Sequence, residues 1–231
     1  MQTRDITIRS RDGHDFDCCF VSPDSAKKVP AMVLASAIHG VDADMRGIAE
    51  AFAAKGYIAV APDLFWRTVP GPLPRDDARA KPRGQPRLEK IKAGEQDLVD
   101  TLAVVKREPQ WNGKAAVMGF CYGGPYAILG PKRLGFDAGI SCHGTQMLDF
   151  LPELDGVSKP VCVIWGDQDE MAPPPVLEAY RAAAAKKKNL DLNVFPGVRH
   201  GYMMKSSPAY DPKLHDFSIG KALEILEKLG C

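Results

Sequence analysis

The sequence lacks the features that mark secreted, membrane and nucleic-acid-binding proteins. Its 231 residues contain no uninterrupted apolar run of membrane-spanning length and no apolar leader segment near Met1. The 30 lysines and arginines are balanced by 29 aspartates and glutamates, which gives a net charge of +1. This balance provides no general attraction to nucleic acid or to an anionic membrane. We therefore expect a cytoplasmic protein that binds neither.

The sequence also lacks any cysteine pattern that indicates disulfides or a metal site. Its six cysteines are scattered, with no Cys-x-x-Cys pair and no clustered cysteines and histidines at zinc-ligand spacing. We expect reduced thiols, as in cytoplasmic proteins, and no bound metal. There is no internal repeat and no linker long enough to divide the chain. The sequence therefore predicts a single domain over residues 1–231.

Strand-like and helical patterns alternate along the chain. Helical periodicity appears at Met45–Lys55, Leu88–Lys106, Val176–Lys187 and Leu214–Leu229. Several strand-like runs are almost wholly apolar, as expected for parallel strands covered on both faces. The order predicts an α/β fold: a mostly parallel, doubly wound sheet of about eight strands, flanked by helices and led by a hairpin. The predicted strands are Ile6–Arg9, Phe16–Val21, Ala31–Ala37, Ile58–Ala61, Ala115–Gly119, Ala138–Cys142, Val161–Gly166 and Leu190–Phe195.

The segment Gly119-Phe120-Cys121-Tyr122-Gly123-Gly124 has the pattern of a nucleophile elbow. It follows the apolar strand Ala115–Gly119 and precedes Tyr126–Leu129, which can start a helix. Glycines are needed because the turn is so tight that neighbouring side chains would clash. The residue at its tip is Cys121, so the pattern predicts a cysteine nucleophile. The alternative is a buried free cysteine in a glycine-rich turn.

Candidate partners for Cys121 follow later strands in the order that the elbow architecture requires, which is nucleophile, acid, histidine. Asp167 and Asp169 lie at the end of the predicted strand Val161–Gly166. His200 lies on a glycine-flanked loop after the strand Leu190–Phe195. A cysteine nucleophile needs a general base, and that base needs an orienting partner. The three elements together favour catalysis over a structural cysteine, with Asp167 and Asp169 as alternative acids.

These motifs resemble the dienelactone hydrolase (carboxymethylenebutenolidase) family over essentially the whole chain. Besides the elbow, the resemblance includes Gly56–Leu64 (Gly-Tyr-Ile-Ala-Val-Ala-Pro-Asp-Leu), Trp165–Asp169 (Trp-Gly-Asp-Gln-Asp) and Gly197–Tyr202 (Gly-Val-Arg-His-Gly-Tyr). It implies an α/β-hydrolase fold and hydrolysis of a small enol-lactone that bears a carboxylate. We also expect a monomer that needs no cofactor and forms a thioester acyl-enzyme.

The resemblance assigns roles residue by residue. It implies a catalytic triad of Cys121, Asp169 and His200, which favours Asp169 over Asp167 as the acid. It also implies an oxyanion hole formed by the backbone N–H groups of Tyr122 and Ile38. Ile38 follows the predicted strand Ala31–Ala37, where the elbow architecture places its second donor.

The chain departs from the family at two positions. In well-studied members, the residue before the Ile38 equivalent is a glutamate that interacts with the resting cysteine, and here it is Ala37. The family also binds the substrate carboxylate with two arginines, and Met204 occupies the later of those two positions, next to Lys205. These departures bear on the substrate more than on the type of reaction.

The earlier arginine falls within the loop from Thr68 to Arg87. Its five prolines rule out one continuous helix, and long loops after strand ends often frame a ligand crevice. We expect Arg79, Arg83 or Arg87 to bind a carboxylate, with Arg79 as the ungapped match. The alternative is that these arginines are simply solvated. His143 and Tyr202 are further candidates for lining the substrate pocket, and packing in the core is the alternative for both.

Two other functions fit the same residues. A general esterase or thioesterase that acts on uncharged small acyl groups would need no second arginine. A binding module that retains the fold without catalysis would be compatible with the missing glutamate.

Overall fold

Eight β-strands form one continuous sheet in the computed structural model, which describes all residues from Met1 to Cys231. The strands are β1 Gln2–Arg9, β2 Asp15–Ser22, β3 Val29–Ala35, β4 Ile58–Pro62, β5 Trp111–Phe120, β6 Ala138–Cys142, β7 Val161–Gly166 and β8 Leu190–Phe195. Their spatial order is β1-β2-β4-β3-β5-β6-β7-β8.

The first two strands form an antiparallel hairpin at one edge of the sheet. Gly13 in the connecting turn has φ +92°, which is in the left-handed region that glycine enters without steric cost. Strand β2 also pairs antiparallel with β4, whereas every other pair in the sheet is parallel. The predicted sheet, mostly parallel with a leading hairpin, is confirmed.

Helices cover both faces of the sheet. Helices α1 and α5 pack on one face through residues such as Phe52 and Leu226, and α2 and α4 pack on the other through Leu98 and Tyr180. Burying one such apolar side chain contributes about 1.5–3 kcal/mol to folding. No helix combines the length and apolar character that a membrane crossing requires. The helices are α1 Ala43–Ala54, α2 Arg87–Val105, α3 Tyr126–Leu129, α4 Pro174–Ala184 and α5 Pro212–Gly230.

Several local features differ from the predictions. Strand β3 ends at Ala35 rather than Ala37, because the chain meets the elbow there: a Cβ at Gly123 would overlap the Ala35 carbonyl oxygen. Helix α3 runs into a π-helical turn at Gly130–Leu134, and a 3₁₀-helix spans Met147–Leu154. Such short segments carry too little periodicity to be recognised in a sequence.

Parallel strands bring their carboxyl ends to one edge of the sheet, and the predicted site residues follow those ends. Cys121 follows β5, Asp169 lies three residues after β7, and His200 lies five residues after β8. Ile38 follows β3 by three residues, and His143 directly follows β6. In open α/β sheets this edge is where ligands bind.

Candidate active site

Cys121 occupies a strained turn between β5 and a short 3₁₀-helix at Cys121–Gly123. Its φ is +49°, a left-handed conformation that side chains other than glycine rarely adopt. The neighbouring glycines leave no room for side chains. A Cβ at Gly119 would overlap the Gly123 carbonyl oxygen, and one at Gly124 would overlap the Gly144 Cα. Packing on all sides therefore enforces the backbone strain at Cys121, as at functional turns in other proteins.

His200 and Asp169 form a hydrogen-bonded pair next to this turn. The His200 Nδ1 atom is 2.9 Å from one Asp169 carboxylate oxygen and 3.0 Å from the other. Asp169 is 2% exposed and also accepts a hydrogen bond from the Met171 N–H. A buried carboxylate at Nδ1 fixes the imidazole orientation and keeps Nε2 as the atom free for proton transfer.

The electrostatics of the site favour an ion pair between Cys121 and His200. Burial alone would raise the pKa of the Cys121 thiol, but the hydrogen bond from His200, the His200 and Arg87 charges and the Tyr122 N–H outweigh it and lower that pKa. Burial alone would lower the pKa of His200, whereas hydrogen bonds with Asp169 and Cys121 raise it to about 10. These directions favour a thiolate and an imidazolium at neutral pH.

Asp167, the alternative acid, is bound elsewhere. Its Oδ1 atom accepts a hydrogen bond of 2.7 Å from the Gly197 N–H, and the residue is exposed at the surface. Asp167 therefore joins the turn after β7 to the turn after β8. The structure brings Asp169, and not Asp167, together with His200.

Tyr122 and Ile38 lie on the two chain segments next to Cys121. Tyr122 is buried directly after it, and its N–H is among the groups that lower the Cys121 pKa. Ile38 is half-buried in the turn after β3, and its N–H donates to no acceptor within the protein. A free N–H is what an oxyanion hole requires.

The His143 ring packs against the rings of both His200 and Tyr202. The His143 ring meets the His200 ring edge-on at 4.9 Å between centroids and the Tyr202 ring at 5.2 Å. His143 is buried, has φ +40°, and neither ring nitrogen has a hydrogen-bond partner. Its pKa lies well below the usual range because burial disfavours the imidazolium. Tyr202 is fully buried and its hydroxyl pairs with Ser218 at 3.0 Å, so it packs in the core.

The three loop arginines lie in different environments. Arg79 is exposed and paired with Asp77 at 2.7 Å. Arg83 and Arg87 are buried, and their side-chain hydrogen bonds end on backbone carbonyl oxygens. Thr145 was not identified from the sequence as part of the site. The Thr145 N–H and hydroxyl donate to the Cys121 carbonyl at 3.0 and 3.3 Å. Its position after β6 was the only sequence feature that could have indicated this role.

Small and apolar residues occupy the positions at which the chain departs from the family. Ala37 is buried and offers no carboxylate, while the neighbouring Ser36 hydroxyl is buried without a partner. Met204 is 1% exposed, so an apolar side chain stands where the second arginine was expected. No group of three or more histidine, cysteine, aspartate or glutamate side chains is arranged to hold a metal ion.

Comparison with known proteins identifies relatives along nearly the whole chain. Residues 16–229 match the dienelactone hydrolase family. A carboxymethylenebutenolidase of Pseudomonas putida is 30% identical over 213 residues, covering 91% of this chain and 90% of that protein. A solved structure from Klebsiella pneumoniae subsp. pneumoniae superposes with a TM-score of 0.84 at 20% identity over 98% of both chains. A dienelactone hydrolase-like promiscuous phosphotriesterase from metagenomic libraries superposes with a TM-score of 0.81 at 17% identity over 100% of both.

The sheet order, the elbow after β5 and the similar structures define an α/β-hydrolase. The chain belongs to the dienelactone hydrolase family, as its motifs led us to expect. It is accordingly an enzyme of the carboxylic ester hydrolase class.

Proposed function

We propose that this enzyme hydrolyses a small enol-lactone or ester by nucleophilic catalysis with Cys121. The observation that carries the proposal is the pair of His200 and Asp169, 2.9 Å apart, next to a cysteine whose pKa is lowered. A histidine oriented by a buried carboxylate is the partner that a thiolate nucleophile requires. The name of the Pseudomonas putida relative, carboxymethylenebutenolidase, supports a lactone as the substrate.

In the acylation step, the Cys121 thiolate attacks the substrate carbonyl carbon and its sulfur–carbon bond forms. The carbonyl electron pair moves onto the oxygen, and the Tyr122 and Ile38 N–H groups stabilise that oxyanion. When the tetrahedral intermediate collapses, the bond to the leaving oxygen breaks. His200 donates its proton to that oxygen as the general acid, leaving a thioester on Cys121.

In the deacylation step, neutral His200 removes a proton from a water molecule that attacks the thioester. The second intermediate collapses with release of the carboxylic acid and return of the Cys121 thiolate. Asp169 stabilises the imidazolium in both steps and keeps the proton on Nδ1 in the neutral state. No step requires a metal or an organic cofactor.

The proposal is tested by the kinetics of Cys121→Ala and of the wild type. We expect a burst of one equivalent of p-nitrophenol from p-nitrophenyl acetate with the wild type, because this activated ester should acylate Cys121 faster than the thioester is hydrolysed. Cys121→Ala should fold and lose about 10³- to 10⁶-fold in turnover. Full activity in this variant would end the proposal. If the wild type shows no activity towards esters and lactones, a binding module without catalysis would instead be favoured.

A second candidate, a hydrolase of uncharged esters, is favoured by the charges at the site. Arg79 already pairs with Asp77, Arg83 is bound to backbone carbonyls, and Met204 replaces the second family arginine. The two candidates differ in whether a substrate carboxylate is bound. If Arg79 binds one, Arg79→Ala should lower turnover of an anionic lactone by about 10- to 150-fold. Turnover of a neutral ester should be nearly unchanged. Equal behaviour of both substrates would favour the uncharged class.

We further propose that the enzyme acts as a single-domain monomer in the cytoplasm on a free small molecule. Its balanced net charge and its six unpaired cysteines support this setting. Sedimentation analysis of the purified enzyme tests the monomer, for which we expect a mass near 25.1 kDa.

A further inference from the structure

Two buried arginines contact the two residues to which the oxyanion hole is assigned. Arg83 donates from Nε to the Ile38 carbonyl at 2.7 Å, and Arg87 donates from Nη2 to the Tyr122 carbonyl at 2.8 Å. Each arginine therefore holds the backbone of one of the two proposed oxyanion-hole residues. Both belong to the end of the proline-rich loop, four residues apart.

Arg83 joins three backbone carbonyls into one unit. Its Nη1 atom donates to Val69 at 3.0 Å and to Gly71 at 2.8 Å, in addition to the Nε bond to Ile38. Its guanidinium stacks 4.1 Å from the centre of the Phe65 ring. The residue is 2% exposed. The planar guanidinium thus fixes the turn after β3 relative to the loop after β4, which a flexible side chain with one donor group would do less well.

Arg87 makes the corresponding connection on the elbow side. Its Nη2 atom donates to Tyr122 and, at 3.1 Å, to the Thr145 carbonyl. Thr145 donates in turn to the Cys121 carbonyl. The guanidinium stacks 4.3 Å from the centre of the Tyr122 ring. Arg87 therefore fixes the elbow from the carbonyl of Tyr122 and, through Thr145, from that of Cys121.

The two arginines act on one packed unit. The rings they cover, Phe65 and Tyr122, contact each other at 4.8 Å between centroids. Gly84, between the arginines, lies so close to Tyr122 that an added Cβ would be 3.1 Å from its ring and 3.9 Å from the Ile38 side chain. Burying a guanidinium without a carboxylate partner is unfavourable. Such a cost is expected where the geometry it enforces serves a function.

We propose that Arg83 and Arg87 are positioning residues that hold the Ile38 and Tyr122 N–H groups at the spacing an oxyanion requires. The proposal rests on the proposed function, because the oxyanion hole is part of it. Neither arginine touches the reacting atoms. Each restrains the backbone on the carboxyl side of one donor residue, and a displacement of about 1 Å at a catalytic group costs about 10²-fold in rate.

The first variant to test is Arg83→Lys, which keeps a positive charge that can still reach the loop carbonyls but removes the Nε donor to Ile38. We expect kcat/KM for p-nitrophenyl acetate to fall about 10- to 100-fold, mainly through kcat. The inhibition constant of 2,2,2-trifluoroacetophenone, whose adduct with Cys121 carries an oxyanion, should rise by a similar factor. Alkylation of Cys121 by iodoacetamide, which forms no oxyanion, should change by less than about twofold.

The roles of Arg87 and Arg83 can be distinguished by their different effects on the Cys121 thiolate. Arg87→Lys should lower ester turnover and ketone binding as Arg83→Lys does. Arg87→Met also removes a charge that lowers the Cys121 pKa, so the alkylation profile should shift to higher pH. Arg83→Met should leave that profile in place. A purely structural role for both arginines would not produce this difference.

Arg67→Met is the matched control. Arg67 also stacks on an aromatic ring, Trp66 at 4.0 Å, but its hydrogen bonds end on Asp12 and Asp97 rather than on the oxyanion residues. This variant should unfold at a lower urea concentration while keeping the wild-type ratio of ester turnover to alkylation rate. Gly84→Ala is the reserve variant if Arg83→Lys does not fold, since its methyl group presses on Tyr122. It should show the same selective loss of ketone binding.

The inference is overturned if folded Arg83→Lys and Arg87→Lys keep wild-type turnover and ketone inhibition. It is also overturned if ester turnover and alkylation fall together in these two lysine variants, because a general loss of site structure would then explain both. These outcomes leave the proposed function intact as long as Cys121→Ala is inactive. If Cys121→Ala stays active, the proposed function fails and the oxyanion hole with it.

Discussion

Replacing Asp169 with asparagine is the perturbation whose effect follows most directly from the geometry. The Asp169 carboxylate is buried and places both oxygens within 3.0 Å of the His200 Nδ1 atom. Asparagine has nearly the same shape, so the fold should be unchanged. Its NH₂ group, however, would donate to Nδ1 and stabilise the tautomer with the proton on Nε2. That tautomer cannot accept a proton from water during deacylation.

The size of the effect has two parts. With the carboxylate, the pKa of His200 is raised to about 10, so more than about 99% of the ring is imidazolium at pH 7.5. If the pKa returned to its ordinary value of about 6.5, only about 10% would be protonated, and the thiolate would lose its partner accordingly. The wrong tautomer contributes more. In serine proteases the equivalent change lowers kcat about 10⁴-fold, and we expect about 10³- to 10⁴-fold here.

The assay compares kcat of Asp169→Asn with that of Asp167→Asn on one neutral ester. Asp167→Asn is the matched control, because it removes an equivalent charge two residues away while its Oδ1 atom can still accept hydrogen bonds from the Gly197 N–H and the Gln168 side chain. It should keep activity within about tenfold of the wild type. Circular dichroism shows whether both variants are folded. A folded Asp169→Asn that keeps most of its activity, or a larger loss in Asp167→Asn, would refute the assignment of Asp169 as the acid.

The remaining predictions concern the thiolate, the pH dependence and the elbow. Ultraviolet difference absorbance between the wild type and Cys121→Ser should show thiolate at neutral pH without substrate, and iodoacetamide should label Cys121 first. Titration near 8.5 with the alkylation rate of a free thiol would contradict this, and would indicate that Ser36 or His39, the polar residues on either side of Ala37 and Ile38, protects the cysteine. Because the His200 pKa is raised to about 10, kcat/KM should fall as the pH approaches 10, where the imidazolium is lost. A fall in kcat/KM with rising pH that is centred near pH 6.5 would contradict this prediction. Gly119→Ala should lower the free energy of unfolding by about 3 kcal/mol or more, since its Cβ overlaps backbone. Gly47→Ala, in the open on α1, should instead raise it by about 0.5–1 kcal/mol; equal urea midpoints for the two variants would contradict the strained elbow.

Much of the fold was predictable from the sequence because its strands are strongly apolar. The bounds of β6, β7 and β8 agree with the predicted ranges; β6 and β7 lie inside the sheet, and β8 is the edge strand opposite β1. Strand β1 begins four residues before the predicted Ile6, because an edge strand alternates with polar residues and its start carries no apolar signal. The end of β3 at Ala35 depends on contact with Gly123, which is distant in sequence.

The candidate site, like the fold, was predictable from the sequence only in part. The order of Cys121, Asp169 and His200 was readable because each follows a recognisable strand and lies in a motif. The local sequence left Asp167 and Asp169 open, since both flank the same strand end. Only the path of the turn after β8, which brings His200 to Asp169 and Gly197 to Asp167, separates them.

The roles of the loop arginines were the least predictable part. Nothing in the local sequence distinguishes the exposed Arg79 from the buried Arg83, because both lie among prolines in a loop without periodicity. The burial of Arg83 comes from the carbonyls of Ile38, Val69 and Gly71, which a long irregular segment brings together. Such contacts depend on the tertiary path of the loop, which periodicity cannot give.

Mass spectrometry of the acyl-enzyme tests the central claim most directly. Wild-type enzyme is mixed with a slowly hydrolysed aryl ester and quenched in acid within one turnover, and its intact mass and peptides are measured. Cysteine catalysis predicts one added acyl group per chain, located on Cys121 as a thioester that hydroxylamine removes, and no adduct in Cys121→Ala. Turnover without any adduct on Cys121, or an acyl group on another residue that forms and decays at the rate of turnover, would contradict it.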